Sequence, residues 1–133
     1  DKDVPQLLFD KFNSLYGDKE DILEDHDICL TMALVSNFFE KFKQYRGERH
    51  PMVYANDLDQ FLSMIRNADL DMVKDGIVEE DEEPQYYLDM MEEYFSSNIG
   101  KNNGVGCDYR IWLFFTERTQ NILYNRVKQK RNE

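Results

Sequence analysis

Four carboxylates between positions 71 and 82 have a spacing that could bind a divalent cation. Asp71, Asp75, Glu79 and Glu82 lie in one short stretch that also contains Gly76. Carboxylate oxygens are ligands that Ca²⁺ and Mg²⁺ prefer, and a loop that presents several of them can surround one ion. This stretch could therefore bind calcium or magnesium, and clustered carboxylates of this kind could also serve a metal-dependent hydrolase.

The same stretch resembles, in part, the calcium loop of an EF-hand. Asp71 corresponds to the first ligand position, Asp75 to the fifth, Gly76 to the turn, Glu79 to the ninth and Glu82 to the twelfth. Val73 stands at the third ligand position, where it offers no side-chain oxygen, and no second copy of the loop follows. The departure favours a helix that ends at Gly76 before a solvated acidic loop. We therefore expect no cofactor, with Ca²⁺ or Mg²⁺ as the alternative.

Five consecutive acids before Pro84 form the strongest charge feature of the chain. They are Glu79, Glu80, Asp81, Glu82 and Glu83. A run of like charges is solvated and often contacts a partner, and an acidic surface can also imitate nucleic acid at a basic site. We predict that these five side chains contact another protein.

The C-terminal segment is the basic part of an acidic chain. The chain has 27 acidic and 16 basic side chains, for a formal charge of −11, whereas positions 100–133 carry a net charge of +4. The cations near the end are Arg126, Lys128, Lys130 and Arg131. Their mixture with asparagine and tyrosine predicts a nucleic-acid contact as one alternative. The charge of the whole chain favours the second alternative, in which these cations neutralise acids of the same molecule and interact with the helix dipole.

Neither histidine has the partners that catalysis would need. His26 and Asp27 are similar to the histidine–aspartate doublet of metal-dependent phosphohydrolases, but no histidine precedes them to complete such a site. Arg46 and His50 have a spacing that some helical ribonucleases use, yet a glycine and a proline interrupt the helix they would share. These patterns favour an exposed His26 at a helix start and a loop contact for His50.

The remaining candidates for chemistry are also incomplete. Asp89, Glu92 and Glu93 have helical spacing, but helical di-metal sites pair glutamate with a histidine three residues later, and none occurs here. Cys29 lies in an apolar segment, and Cys107 has no histidine near it in sequence. The sequence therefore does not favour an enzyme.

Five helical segments must position these groups. Apolar residues recur at helical spacing in each, and glycine, proline or a capping side chain bounds most of them. The predicted helices run from Val4 to before Gly17, from Asp27 to Arg46, from Asn56 to Gly76, from Pro84 to Ile99, and from Tyr109 towards the C-terminal end. The aromatic run 109–115 leaves a minor strand, paired with 52–54, as an alternative.

These patterns predict one all-α domain over residues 1–133, an irregular bundle of about five helices. No apolar run reaches the length of a membrane span, and two cysteines are too few for a disulfide framework, so we expect an intracellular, cytoplasmic protein without membrane contact. The favoured function is a protein–protein interaction module, such as an adaptor, regulator or inhibitor. Metal binding and nucleic-acid binding are the alternatives, and the patterns do not determine the oligomeric state.

Overall fold

The described part of the chain folds into eight helices. The computed structural model of the protein describes residues 4–16, 19–77, 82–101 and 108–132. The helices are α1 (Val4–Tyr16), α2 (Lys19–Glu24), α3 (His26–Arg46), α4 (Ala55–Ile65), α5 (Asp71–Lys74), α6 (Glu83–Ser96), α7 (Ile111–Phe114) and α8 (Glu117–Arg131). These ranges contain no strand, so the predicted all-α class is confirmed. No helix within them has the length and apolar character that crossing a membrane requires.

Helix α3 is the centre of the packing. It begins where the Asp25 carboxylate accepts the backbone N–H of Ile28 at 3.0 Å, and it ends where Gly47 adopts a left-handed φ of 74°. A side-chain acceptor at the first turn and a glycine after the last are signals that bound helices. The helix packs against α1, α2, α4 and α6. Its buried residues are Ile28, Leu30, Thr31, Leu34, Val35, Phe38 and Phe42.

Helix α1 buries only part of its apolar stripe. Leu8 and Phe12 are buried, whereas Leu7 and Leu15 remain 51% and 41% exposed. The neighbouring α2, which the sequence pattern did not predict, contributes the buried Ile22. Gly17, the predicted end of the first helix, lies outside the described residues. The first helix therefore presents apolar side chains both to the core and to the surface.

The predicted third helix is divided in two. Helix α4 ends at Ile65, and a turn over 66–70 leads into α5. The Asn67 carboxamide accepts a backbone N–H two residues along at 2.9 Å and donates to Glu117 at 2.8 Å. An asparagine that bonds its own backbone competes with the helical pattern. The turn buries Leu70 and brings α5 against α8.

The predicted C-terminal helix is also divided, and the alternative of a strand over 109–115 is wrong. Residues Ile111–Phe114 form one helical turn, α7, instead of an extended segment. Thr116 then takes an extended backbone with φ −108° and ψ 150° and begins α8. The buried Gln120 side chain donates to the Phe114 carbonyl at 2.7 Å. A side chain thus satisfies a carbonyl that a continuous helix would have bonded through its backbone.

Candidate functional site

Two of the four predicted calcium ligands fasten α5 to α8. Oδ2 of Asp71 accepts from Asn125 at 2.8 Å. Oδ2 of Asp75 accepts from the Tyr124 hydroxyl at 2.7 Å and from Nζ of Lys128 at 2.8 Å, and these hydrogen bonds lower the pKa of the Asp75 carboxyl. Glu79 lies outside the described residues. Asp71 and Asp75 therefore serve an interface between helices, whereas Glu82 is exposed.

The predicted acidic cluster is not one continuous exposed surface. Glu79, Glu80 and Asp81 lie outside the described residues, and Glu82 is exposed. Glu83 is only 4% exposed and lies 3.2 Å from Nε2 of His26. Glu83 is therefore buried, whereas the adjacent Glu82 is exposed.

All four predicted nucleic-acid contacts pair with acids of the same chain. Arg126 and Lys130 both donate to the buried Glu93 of α6. Lys128 pairs with Asp75, and Arg131 pairs with Asp89 at 2.6 Å. The guanidinium of Arg131 also lies 3.7 Å from the ring centroid of Tyr86. These contacts support neutralisation within the molecule as the role of the basic residues in α8.

The carboxylates of α6 that resembled half of a di-metal site each have a cationic partner. Asp89 pairs with Arg131 and Glu93 with Lys130 and Arg126, as above. Glu92 accepts from Lys41 and from the Tyr45 hydroxyl on α3. Hydrogen bonds from these groups lower the pKa of Glu92, and the bond from Lys130 is the main cause of the lowered pKa of Glu93. The three carboxylates lie in two ion-pair interfaces, one with α3 and one with α8.

A cluster of one imidazole and two carboxylates forms where the first turns of α3 and α6 meet. Ligand atoms of His26, Asp27 and Glu83 all lie within 4.8 Å of one another. His26 is exposed, Asp27 is half-buried and Glu83 is buried. Burial raises the pKa of Glu83, against the opposing effect of its hydrogen bond with His26. A nitrogen and two oxygen donors at this spacing could bind a transition-metal ion.

A buried tyrosine lies beside this cluster. Tyr87 follows Glu83 by one turn of α6, is fully buried, and its hydroxyl has no hydrogen-bond partner among the described residues. Burial raises the pKa of this hydroxyl, and the charges of Glu83 and Asp27 raise it further.

An arginine from the end of α4 orients the acidic side chains at the start of α3. Arg66 donates to Asp25 at 2.8 Å and to Oδ2 of Asp27 at 3.2 Å. These bonds fix the side of the cluster that faces α4. The sequence pattern pointed to His26 and Asp27 and named Glu83 only as part of the acidic cluster. It missed Arg66 and the proximity of Glu83 to His26, because no local signal links residues 39 or 57 positions apart.

A second surface feature is apolar. Met52 and Tyr54 are 62% and 60% exposed in the connection before α4. Nζ of Lys11 lies 5.7 Å from the ring centroid of Tyr54, so this tyrosine packs beside α1. Leu7 and Leu15 lie four residues before and after Lys11, a spacing that puts all three on one strip of the helix. We call Leu7, Leu15, Met52 and Tyr54 the apolar patch.

Comparison with protein-family models, with curated proteins and with solved structures gives no match for this chain. The functional argument therefore rests on the geometry of the described residues. Two features of the described residues present side chains that could bind another molecule or an ion. They are the apolar patch and the cluster of His26, Asp27 and Glu83.

Proposed function

We propose that this chain is a protein-interaction module whose apolar patch binds a basic, amphipathic segment of another protein. The observation that supports this proposal is the exposure of four large apolar side chains, between 41% and 62%, on α1 and on the segment before α4. The two segments meet where Nζ of Lys11 lies 5.7 Å from the ring centroid of Tyr54. Single exposed apolar residues are common, but contiguous groups of them typically mark binding surfaces. Burial of such side chains supplies most of the favourable energy of association.

The charge of the molecule supports a basic partner. Positions 1–99 contain 24 acids and 9 bases, a net charge of −15, and they include the whole apolar patch. The basic side chains Arg126, Lys128, Lys130 and Arg131 of α8 already pair with acids of the chain. A partner with positive charge around an apolar face would be attracted by this field and would then bury the patch.

Site-specific photo-crosslinking tests this proposal. Tyr54 is replaced by the photoreactive residue benzoyl-phenylalanine in the full chain, expressed in the cells that encode it. Tyr45 is the matched control, because it is also an exposed tyrosine, 47% exposed, but stacks against Phe95 of α6. We expect one dominant product from position 54 that position 45 does not give, with a crosslinked peptide that is net basic and apolar on one face. Leu7→Ser in the same chain should reduce that product about tenfold or more.

Three results would overturn the proposal. They are equal products from both positions, a product between two copies of this chain, or an acidic crosslinked peptide. Replacing Glu79, Glu80, Asp81 and Glu82 together by glutamine should slow association and weaken its dependence on salt, yet retain the product. If that variant loses the product although the patch is intact, the acidic cluster and not the patch binds the partner, as expected of a protein that imitates nucleic acid.

A further inference from the structure

We propose that His26, Asp27 and Glu83 form a binding site for one divalent transition-metal ion, with Zn²⁺ as the ion that best fits the donor set. The first turn of α3 supplies the imidazole and one carboxylate, and the first turn of α6 supplies the other. Nε2 of His26 lies 3.2 Å from Oε1 of Glu83, and all three ligand atoms lie within 4.8 Å. Zn²⁺ binds such donors at about 2.0–2.2 Å, so small side-chain rotations would close the site around it.

Buried polar groups beside the cluster point to a ligand there. Glu83 is 4% exposed, and Tyr87 is fully buried one helical turn later with no hydrogen-bond partner for its hydroxyl in the described part of the chain. A buried hydroxyl without a partner is costly, and a buried carboxylate needs a counter-charge. A metal ion would supply that charge to Glu83.

A simple ion pair between His26 and Glu83 explains less. The His26 side chain is 40% exposed, and a protonated imidazole would need only one carboxylate. The pair also leaves a second carboxylate, that of Asp27, within 4.8 Å of the same atoms, and the Tyr87 hydroxyl has no hydrogen-bond partner in the described residues. Arg66 donates to Oδ2 of Asp27 at 3.2 Å and so orients this carboxylate. Such outer partners commonly fix the orientation of metal ligands.

The donor set also selects among cations. Imidazole nitrogen suits Zn²⁺ and related transition metals, whereas Ca²⁺ and Mg²⁺ prefer oxygen ligands throughout. The proposed site is therefore distinct in residues and in metal from the calcium loop suggested by the spacing of Asp71 to Glu82. Asp71 and Asp75 are bonded to α8 and lie outside the proposed site.

Calorimetric titration of the full chain with Zn²⁺, and separately with Ca²⁺, tests the proposal. We expect one Zn²⁺ per chain and no saturable binding of Ca²⁺. His26→Ala should weaken Zn²⁺ binding by more than about tenfold, because even outer partners of metal ligands contribute about 10- to 100-fold. Glu83→Gln should have a similar effect. Glu82→Gln, at the exposed neighbouring position, and Asp71→Asn should leave the affinity unchanged.

Two further measurements distinguish a loss of Zn²⁺ binding from a loss of folding. The His26 side chain is 40% exposed, so His26→Ala should retain the far-UV circular dichroism of the metal-free native chain, with a lower melting temperature because the buried Glu83 loses its partner. In NMR spectra Zn²⁺ should shift the imidazole signals of His26 and not those of His50, which lies in the core. Absence of saturable Zn²⁺ binding, or binding that folded His26→Ala retains, would overturn the proposal.

Discussion

Nε2 of His50 accepts the backbone N–H of Ile111 at 3.0 Å, across 61 positions of sequence. Nδ1 of the same ring lies 2.7 Å from the carbonyl of Pro51, so a neutral imidazole uses one nitrogen as acceptor and the other as donor. The ring stacks on Phe39 and lies 5.1 Å from the ring centroid of Trp112. His50, which the sequence suggested to be a loop contact, therefore joins the connection before α4 to the first turn of α7.

This geometry predicts a loss of stability in mild acid. Burial lowers the pKa of His50 to about 4, and the nearby charge of Arg110 also lowers it, whereas an unfolded histidine has a pKa near 6.5. Between these values the unfolded chain binds a proton that the folded chain does not. The free energy of unfolding should therefore fall as the pH drops from 6.5 to 4, by about 3 kcal/mol from this residue. Urea unfolding at pH 7 and at pH 4.5 measures the loss.

The control for this prediction is His50→Gln. Glutamine can still accept the N–H of Ile111, but it does not titrate. The variant should be less stable at pH 7 because it loses the aromatic packing, and it should lose less stability than the native chain between pH 7 and pH 4.5. An identical loss in both proteins would show that other groups control the acid response.

The ion pairs of Glu93 predict that its charge stabilises the packing of α6 on α8. Glu93 is 8% exposed and accepts from both Arg126 and Lys130. Glu93→Gln should lower the free energy of unfolding by about 1 kcal/mol, because the cations are themselves largely exposed and screened by solvent. Glu40→Gln, on the exposed side of α3, is the matched control and should change stability by less than about 0.5 kcal/mol. Urea unfolding at neutral pH compares the two, and equal effects would contradict the assigned role.

The close approach of Gly100 to Tyr109 predicts that alanine is tolerated less well at Gly100 than at Gly76. A Cβ atom at Gly100 would collide with the ring of Tyr109, whereas at Gly76, with φ of 82°, it would meet no atom within 4 Å. Tyr109 is held in place because its hydroxyl donates to the Ser97 carbonyl at 2.6 Å. Gly100→Ala should cost about 2–3 kcal/mol from overpacking, and Gly76→Ala about 1 kcal/mol from its left-handed backbone. Thermal unfolding measures both, and a milder effect at Gly100 than at Gly76 would show that the ring moves aside.

Local patterns in the sequence were sufficient to predict the helical class and the positions of several helix ends. The apolar repeat and the stop at Gly47 predicted the helix over 27–46, which the structure extends by one residue to His26. Pro84 falls in the first turn of α6, as its fixed backbone angle requires. Such signals act over a few neighbouring residues, so they can be identified without knowledge of the fold.

Tertiary structure alone decided which side chains from distant parts of the chain meet. The bond from Asn67 to Glu117 joins the turn after α4 to the first turn of α8, 50 positions along the chain. The pairing of His26 with Glu83 depends on how α3 and α6 pack, because 57 residues separate the two side chains. The exposure of Leu7 likewise depends on which strip of α1 the other helices cover. Helical periodicity places a side chain around its own helix axis, but only the packing of the helices determines what that side chain contacts.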